Sequence, residues 1–169
     1  MTKPNYLWIG ALASLLAGGA ALAENVSTAQ VLGRVHHANQ NEVAMGKLAQ
    51  SHGASIEVRK FGMVLVKDHT AADQQVMKLA TAEKIDLAAN TPALENHHLG
   101  KEYTGAAFDD AFAKEMLTAH KDDVLALTAA RDSTTDPKLK ELLTNLLPVL
   151  QKHQETAQKL VDARAKTRS

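Results

Sequence analysis

Cysteine is absent from all 169 residues, which excludes disulfides, thiolate metal sites, cysteine nucleophiles and thiol redox chemistry together. Any metal must therefore be held by His, carboxylate or Met. An excess of charge of either sign is also missing, since 19 basic residues balance 19 acidic ones. No basic block or stripe is visible, so the electrostatic footprint of a nucleic-acid binder is lacking and no nucleic-acid partner is expected. There is no Gly-x-Ser-x-Gly elbow and no serine with a designated base, so nucleophilic catalysis has no support and an enzymatic role is not predicted.

What is present begins with one apolar run. Lys3 gives a positive start, "YLWIGALASLLAGGAALA" is apolar or small throughout, and Ala21-Leu22-Ala23 supplies the small residues that signal peptidase requires before Glu24. The pattern predicts a signal peptide over residues 1–23 and a periplasmic or otherwise exported mature protein. No Cys follows the run, which rules out lipoprotein processing. Residues 24–169 remain, long enough for one domain with a real core. Cleavage removes one lysine, leaving 18 basic residues against 19 acidic. This near-neutral chain is compatible with a free or a membrane-associated protein, in any oligomeric state.

The mature chain reads as four helices with almost no strand signal, at about 27–52, 56–86, 105–131 and 137–164. Gly53 ends the first and Ser55 caps the second. Asp136 caps the fourth, with Pro137 at the favoured first position. A longer irregular piece, residues 87–104, joins the second and third helices and has room for a short helix around "ALENHH". The expected fold is all-α, a four-helix bundle with a long connection between its second and third helices, in either up-down-up-down or crossover order. Pro148 falls inside the fourth helix, where its ring removes a backbone hydrogen bond to the carbonyl of Thr144 and should bend the helix.

Each apolar stripe is interrupted near mid-helix by a side chain able to bind metal. The first stripe meets Glu42, with Asn39 on an alternative seam, and the second is bordered by Asp68 and His69. The third leads from Phe112 and Met116 to His120, and the fourth carries His153 between Leu150 and Ala157. Counted from the first turn, Glu42 and His69 differ in depth by only ~7 Å at 1.5 Å per residue. Buried acids and imidazoles are costly unless paired or metal-bound. Two readings follow. Glu42, Asp68, His69, His120 and His153 form either a ligand-free polar layer that fixes helix register or a site for a transition metal such as Fe, Cu, Zn or Mn. Met45, Met63, Met77 and Met116 suit Cu(I) but equally fill cores. His36-His37 and His97-His98 could each present at most one ring to a given site, because adjacent helical residues point ~100° apart.

The segments "VLGRVHHANQNEVAMGKLAQ", "FGMVLVKDHTAAD", "GAAFDDAFAKEMLTAH" and "LPVLQKHQETA" together resemble the exported bacterial family called domain of unknown function 4142, sometimes labelled predicted outer membrane protein. The likeness runs from about Thr28 to Leu160. It implies a ferritin-like helical bundle in the cell envelope whose biochemical role is unassigned. Phe112 departs from the tyrosine that often follows the F-D pair in that family. Ferritin-like topology does not bring ferritin chemistry with it: a di-iron carboxylate centre needs two Glu-x-x-His motifs, and the chain has only Glu95 to His98. Without a metal, the family resemblance leaves a non-catalytic module of envelope maintenance or stress that acts through a protein partner.

Overall fold

The computed structural model describes residues 26–89 and 99–166. The expected signal peptide, the "ALENHH" segment, Glu95 and the His97-His98 pair lie outside them. Every element among the described residues is a helix: α1 (Thr28–His52), α2 (Ile56–Ala82), the single turn α3 (Leu99–Glu102), α4 (Gly105–Ser133) and α5 (Pro137–Lys166).

Local chemistry sets the boundaries. Ser27 and Gln30 form a capping box at the start of α1, and the Ser55 hydroxyl accepts the Val58 N–H at the start of α2. Asp136 Oδ1 accepts the N–H groups of Lys138 and Leu139 at 2.9 and 3.3 Å, which leaves Pro137 where a missing donor costs nothing. α2 stops at Ala82, short of the expected 86. There Lys84 turns left-handed at φ 57, Ile85 N–H reaches the Ala80 carbonyl and Lys84 N–H the Thr81 carbonyl. This is a Schellman closure built without glycine. α5 continues through Pro148, whose lost partner, the carbonyl of Thr144, belongs to an exposed residue within reach of water.

The long helices pack as a helical bundle. α1 and α2 run antiparallel, with His36 meeting Asp73 near one end and Gly46 meeting Gly62 nearer the turn. α4 and α5 run antiparallel likewise, from Asp110 against Arg164 to His120 against His153. The relation between the two pairs is fixed by their ends. α4 begins where α1 finishes, because Asp109 accepts the Ala54 and Ser55 N–H groups. α2 finishes where α5 begins, because Lys138 Nζ donates to Glu83 Oε1 at 2.6 Å. The second and third long helices therefore run in the same direction, and the connection between them must cross the length of the bundle. Its described ends agree: Leu87 packs at one end of the core and Leu99 at the other.

The core itself is divided. One apolar cluster holds Leu32, Val76, Leu127 and the α5 leucines from Leu139 to Leu150; the other holds Met45, Phe61, Leu65, Phe108, Phe112 and Met116. Between them lie the buried polar residues Asn39, Glu42, His69, His120 and His153. The α1–α2 contact above this layer is unusually close. A Cβ on Gly62 would stand 2.5 Å from the Gly46 carbonyl oxygen and 2.8 Å from the Ala49 Cβ. Gly62→Ala should therefore destabilise the protein by about 1–3 kcal/mol through overpacking, despite the better helix propensity of alanine. Urea unfolding would show this as a lower midpoint; a midpoint equal to wild type or higher would mean that the helices part without cost.

Candidate metal centre

Three helices deliver one imidazole each to the middle of the bundle. His69 comes from α2, His120 from α4 and His153 from α5, with ring centroids 5.2–5.6 Å apart. All three are essentially inaccessible, at 3%, 0% and 1% exposure. They are held there because the apolar stripes of their helices carry them inward: Leu65 and Ala72 flank His69, Met116 and Ala119 precede His120, and Leu150 and Ala157 bracket His153.

One nitrogen of each ring is committed to an oxygen. His69 Nδ1 donates to Asn39 Oδ1 at 2.9 Å, His120 Nδ1 to the Met116 carbonyl at 2.9 Å, and His153 Nε2 to Asp68 Oδ2 at 3.0 Å. An oxygen that only accepts fixes the proton on the nitrogen facing it, so in the neutral ring the other nitrogen carries a lone pair. Those nitrogens, His69 Nε2, His120 Nε2 and His153 Nδ1, are all buried and without a partner. The three residues offer ligand atoms that all lie within 4.8 Å of one another.

Burial keeps the rings neutral. It pushes the pKa of His69 well below its ordinary value, helped by repulsion from His120 and His153. His120 falls to about 4 by burial, with the Met116 carbonyl opposing the shift. Burial lowers His153 too, against the stabilising hydrogen bond that it donates to Asp68. At neutral pH no proton competes for the three lone pairs.

The five residues expected from the sequence divide at this point. His69, His120 and His153 come together, and Asp68, half-buried, stands behind His153 as its acceptor. Glu42 is buried but does not join the histidine group. The α1 side chain opposite His69 is Asn39, one turn earlier, which removes the depth mismatch between Glu42 and His69. Asp123 on α4 is partly buried, and its carboxyl is pushed up to about 8 by burial, then by Glu42 and Asp122. Glu42 itself rises to about 8 by burial. Sequence reading passed over Asp123, although its place one turn after His120 puts it on the same face. The methionines divide as well: Met45 and Met116 are core, while Met63 and Met77 are exposed on α2. His36 is engaged elsewhere, with Asp73 Oδ1 at 2.6 Å and Gln40 at 2.9 Å.

A cleft of about 400 Å³ leads from solvent to this layer. Asn39, Asp68, His69 and Asp123 line it, and Pro148 and Lys152 of α5 stand among its walls.

These shifts set a pH profile for the metal-free protein. Glu42 and Asp123 ionise near 4.5 and 3.8 when unfolded but near 8 when folded, so the folded state holds more protons and stability falls as pH rises towards 8. The histidines, with folded pKa values below 6.5, act the other way: stability is lost as pH falls from 6.5 towards the titration of His120 near 4. Only the acids act above 6.5. Melting in chelator should therefore peak near pH 6.5 and decline to pH 8.5, and Glu42→Gln should flatten the decline. A melting temperature that climbs across that alkaline range would contradict these ionisation states.

The chain matches the family model called domain of unknown function, DUF4142, over residues 13–160, and it belongs to that family. No curated protein and no solved structure matches it.

Proposed function

We propose that this member of the DUF4142 family is an exported, ferritin-like four-helix bundle that binds a transition-metal ion through His69 Nε2, His120 Nε2 and His153 Nδ1. The observation that carries the proposal is that three histidines from three helices, each with one buried, unpartnered nitrogen, offer ligand atoms within 4.8 Å of one another. A dry, ligand-free layer would leave all three acceptors unsatisfied, at a cost of about 1–3 kcal/mol each. The opposite nitrogen of every ring is already oriented by Asn39, the Met116 carbonyl or Asp68. That is the support metal-binding histidines ordinarily receive.

Ligand nitrogens around a tetrahedral ion stand roughly 3.4 Å apart, given metal–nitrogen bonds of about 2.0–2.1 Å. Contraction from within 4.8 Å is a small adjustment of three side chains. Three neutral imidazoles without a thiolate suit zinc, copper or iron, and they leave one coordination position open. Export is supported by the apolar run that ends in Ala21-Leu22-Ala23. No described helix is long and apolar enough to cross a membrane.

The test is zinc titration of the chelator-stripped mature protein. One tight equivalent per chain is expected, lost in each of His69→Ala, His120→Ala and His153→Ala and kept in His36→Ala. Absence of a tight equivalent, or its persistence in all three variants, would leave the second reading: a ligand-free register layer in a module that acts through an envelope partner.

A further inference from the structure

The cleft beside the histidine centre has the build of a pocket for an organic ligand. Its volume of about 400 Å³ falls in the range of small-molecule sites, which are mostly apolar with a few placed polar groups. Val35 of α1, Leu127 of α4 and Leu146 and Leu150 of α5 supply apolar walls, and Ala38 and Ala72 are small enough to leave the space open. All four long helices take part. Pro148 adds an apolar ring to the α5 wall at a position where a helix interior normally rejects proline. Such departures from local preference concentrate at functional sites.

Two polar side chains of the cleft have bonding capacity to spare. Asn39 is 4% exposed; its Oδ1 accepts from His69, and its Nδ2 is buried without a partner. Asp68 uses Oδ2 for His153 and keeps Oδ1 as an acceptor. One cleft thus combines a spare amide donor with a spare carboxylate oxygen, and a primary amide answers both, since its carbonyl accepts and its NH₂ donates. A charged ligand is less suited. Asp68 and Asp123 oppose an anion, Lys152 opposes a cation, and the apolar walls oppose both.

The geometry points to a binding site for a neutral, mostly apolar molecule with an amide end, its chain against Val35, Leu127, Leu146 and Leu150 and its amide on Asn39 and Asp68. The site is separate from the three metal-ligating nitrogens and does not require an ion. It still borders the centre, because Asn39 and Asp68 are the side chains that orient His69 and His153.

Calorimetric titration of octanamide into the chelator-stripped protein tests this. One equivalent per chain should bind, at least ~10-fold more tightly than octanoate or octylammonium, because each charged end meets a like charge and loses one of the two hydrogen bonds. Asn39→Asp, which puts an acceptor where the spare donor stood, should weaken octanamide by about 10–100-fold. Ala71→Phe on α2 and Val149→Trp on α5 bring bulk into the cleft from exposed positions, and each should abolish octanamide binding. Melting in chelator and Zn²⁺ binding should stay as in the wild type for these two. No octanamide bound to the wild type, equal binding of octanoate, or undiminished binding in both bulky variants would overturn the pocket. None of these results depends on Zn²⁺ at the histidines, so the pocket and the metal centre fail separately.

Discussion

Replacing Asp109 with alanine should cost about 3–5 kcal/mol of stability, the range observed when one partner of a buried ion pair is removed. Asp109 is completely buried at the start of α4. Its two oxygens accept the Ala54 and Ser55 N–H groups, at 2.8 and 2.9 Å, and Arg164 Nη1 at 3.3 Å. One carboxylate thereby ties the α1–α2 turn to the beginning of α4 and the end of α5. Alanine would strand two backbone donors beside the N-cap of α2 and remove the counter-charge from a guanidinium. Asparagine would recover little, because its amide group places a donor where a donor is already present. Arg164→Ala should cost less, since Arg164 is a quarter exposed and Asp109 keeps its two backbone donors when the guanidinium is lost. For a chain of this length, where 1 kcal/mol shifts melting by roughly 2–4 °C, the Asp109→Ala loss corresponds to about 10 °C. A midpoint within about 1 kcal/mol of wild type would show that the turn does not depend on this carboxylate.

How far such features can be read from sequence depends on whether they are local. Ser55, Gly53 and the Asp136-Pro137 pair mark helix ends through hydrogen bonds to near neighbours, and they stand where the sequence places them. The end of α2 escapes because Lys84 adopts a left-handed conformation that glycine would have announced. His69, His120 and His153 are visible because each falls in phase with an apolar stripe. Asn39 and Glu42 occupy the same seam one turn apart, and only the seating of α1 against α2 chooses between them.

Helix direction was invisible for a related reason. A residue at mid-helix stays at mid-height whichever way its helix runs, so the histidine layer is indifferent to topology. The crossover is decided by end contacts, Asp109 with the α1–α2 turn and Lys138 with Glu83. No periodicity carries these. The same applies to the Met116 carbonyl that orients His120, a backbone atom with no signature in side-chain chemistry.

The second large effect is expected from the metal itself. An ion that binds only the folded state stabilises it by mass action, by about 4 kcal/mol when free metal is a thousandfold above its dissociation constant. Melting should then rise by on the order of 10 °C. His153→Leu separates this gain from ordinary packing. In the metal-free protein it removes a ring whose Nδ1 has no partner and frees Asp68, which is 30% exposed and can return to water. Its own cost should therefore be about 1 kcal/mol or less, close to that of a change between well-packed side chains of similar volume. With metal present the variant should gain nothing, because two imidazoles remain where three are needed.

Thermal melting of the wild type and His153→Leu at pH 7, each in chelator and each with saturating Zn²⁺, therefore tests the metal centre most directly. The structure predicts nearly equal melting temperatures in chelator and a rise with Zn²⁺ in the wild type alone. Equal responses of the two proteins to Zn²⁺, or none in either, would contradict a metal centre built on His69, His120 and His153.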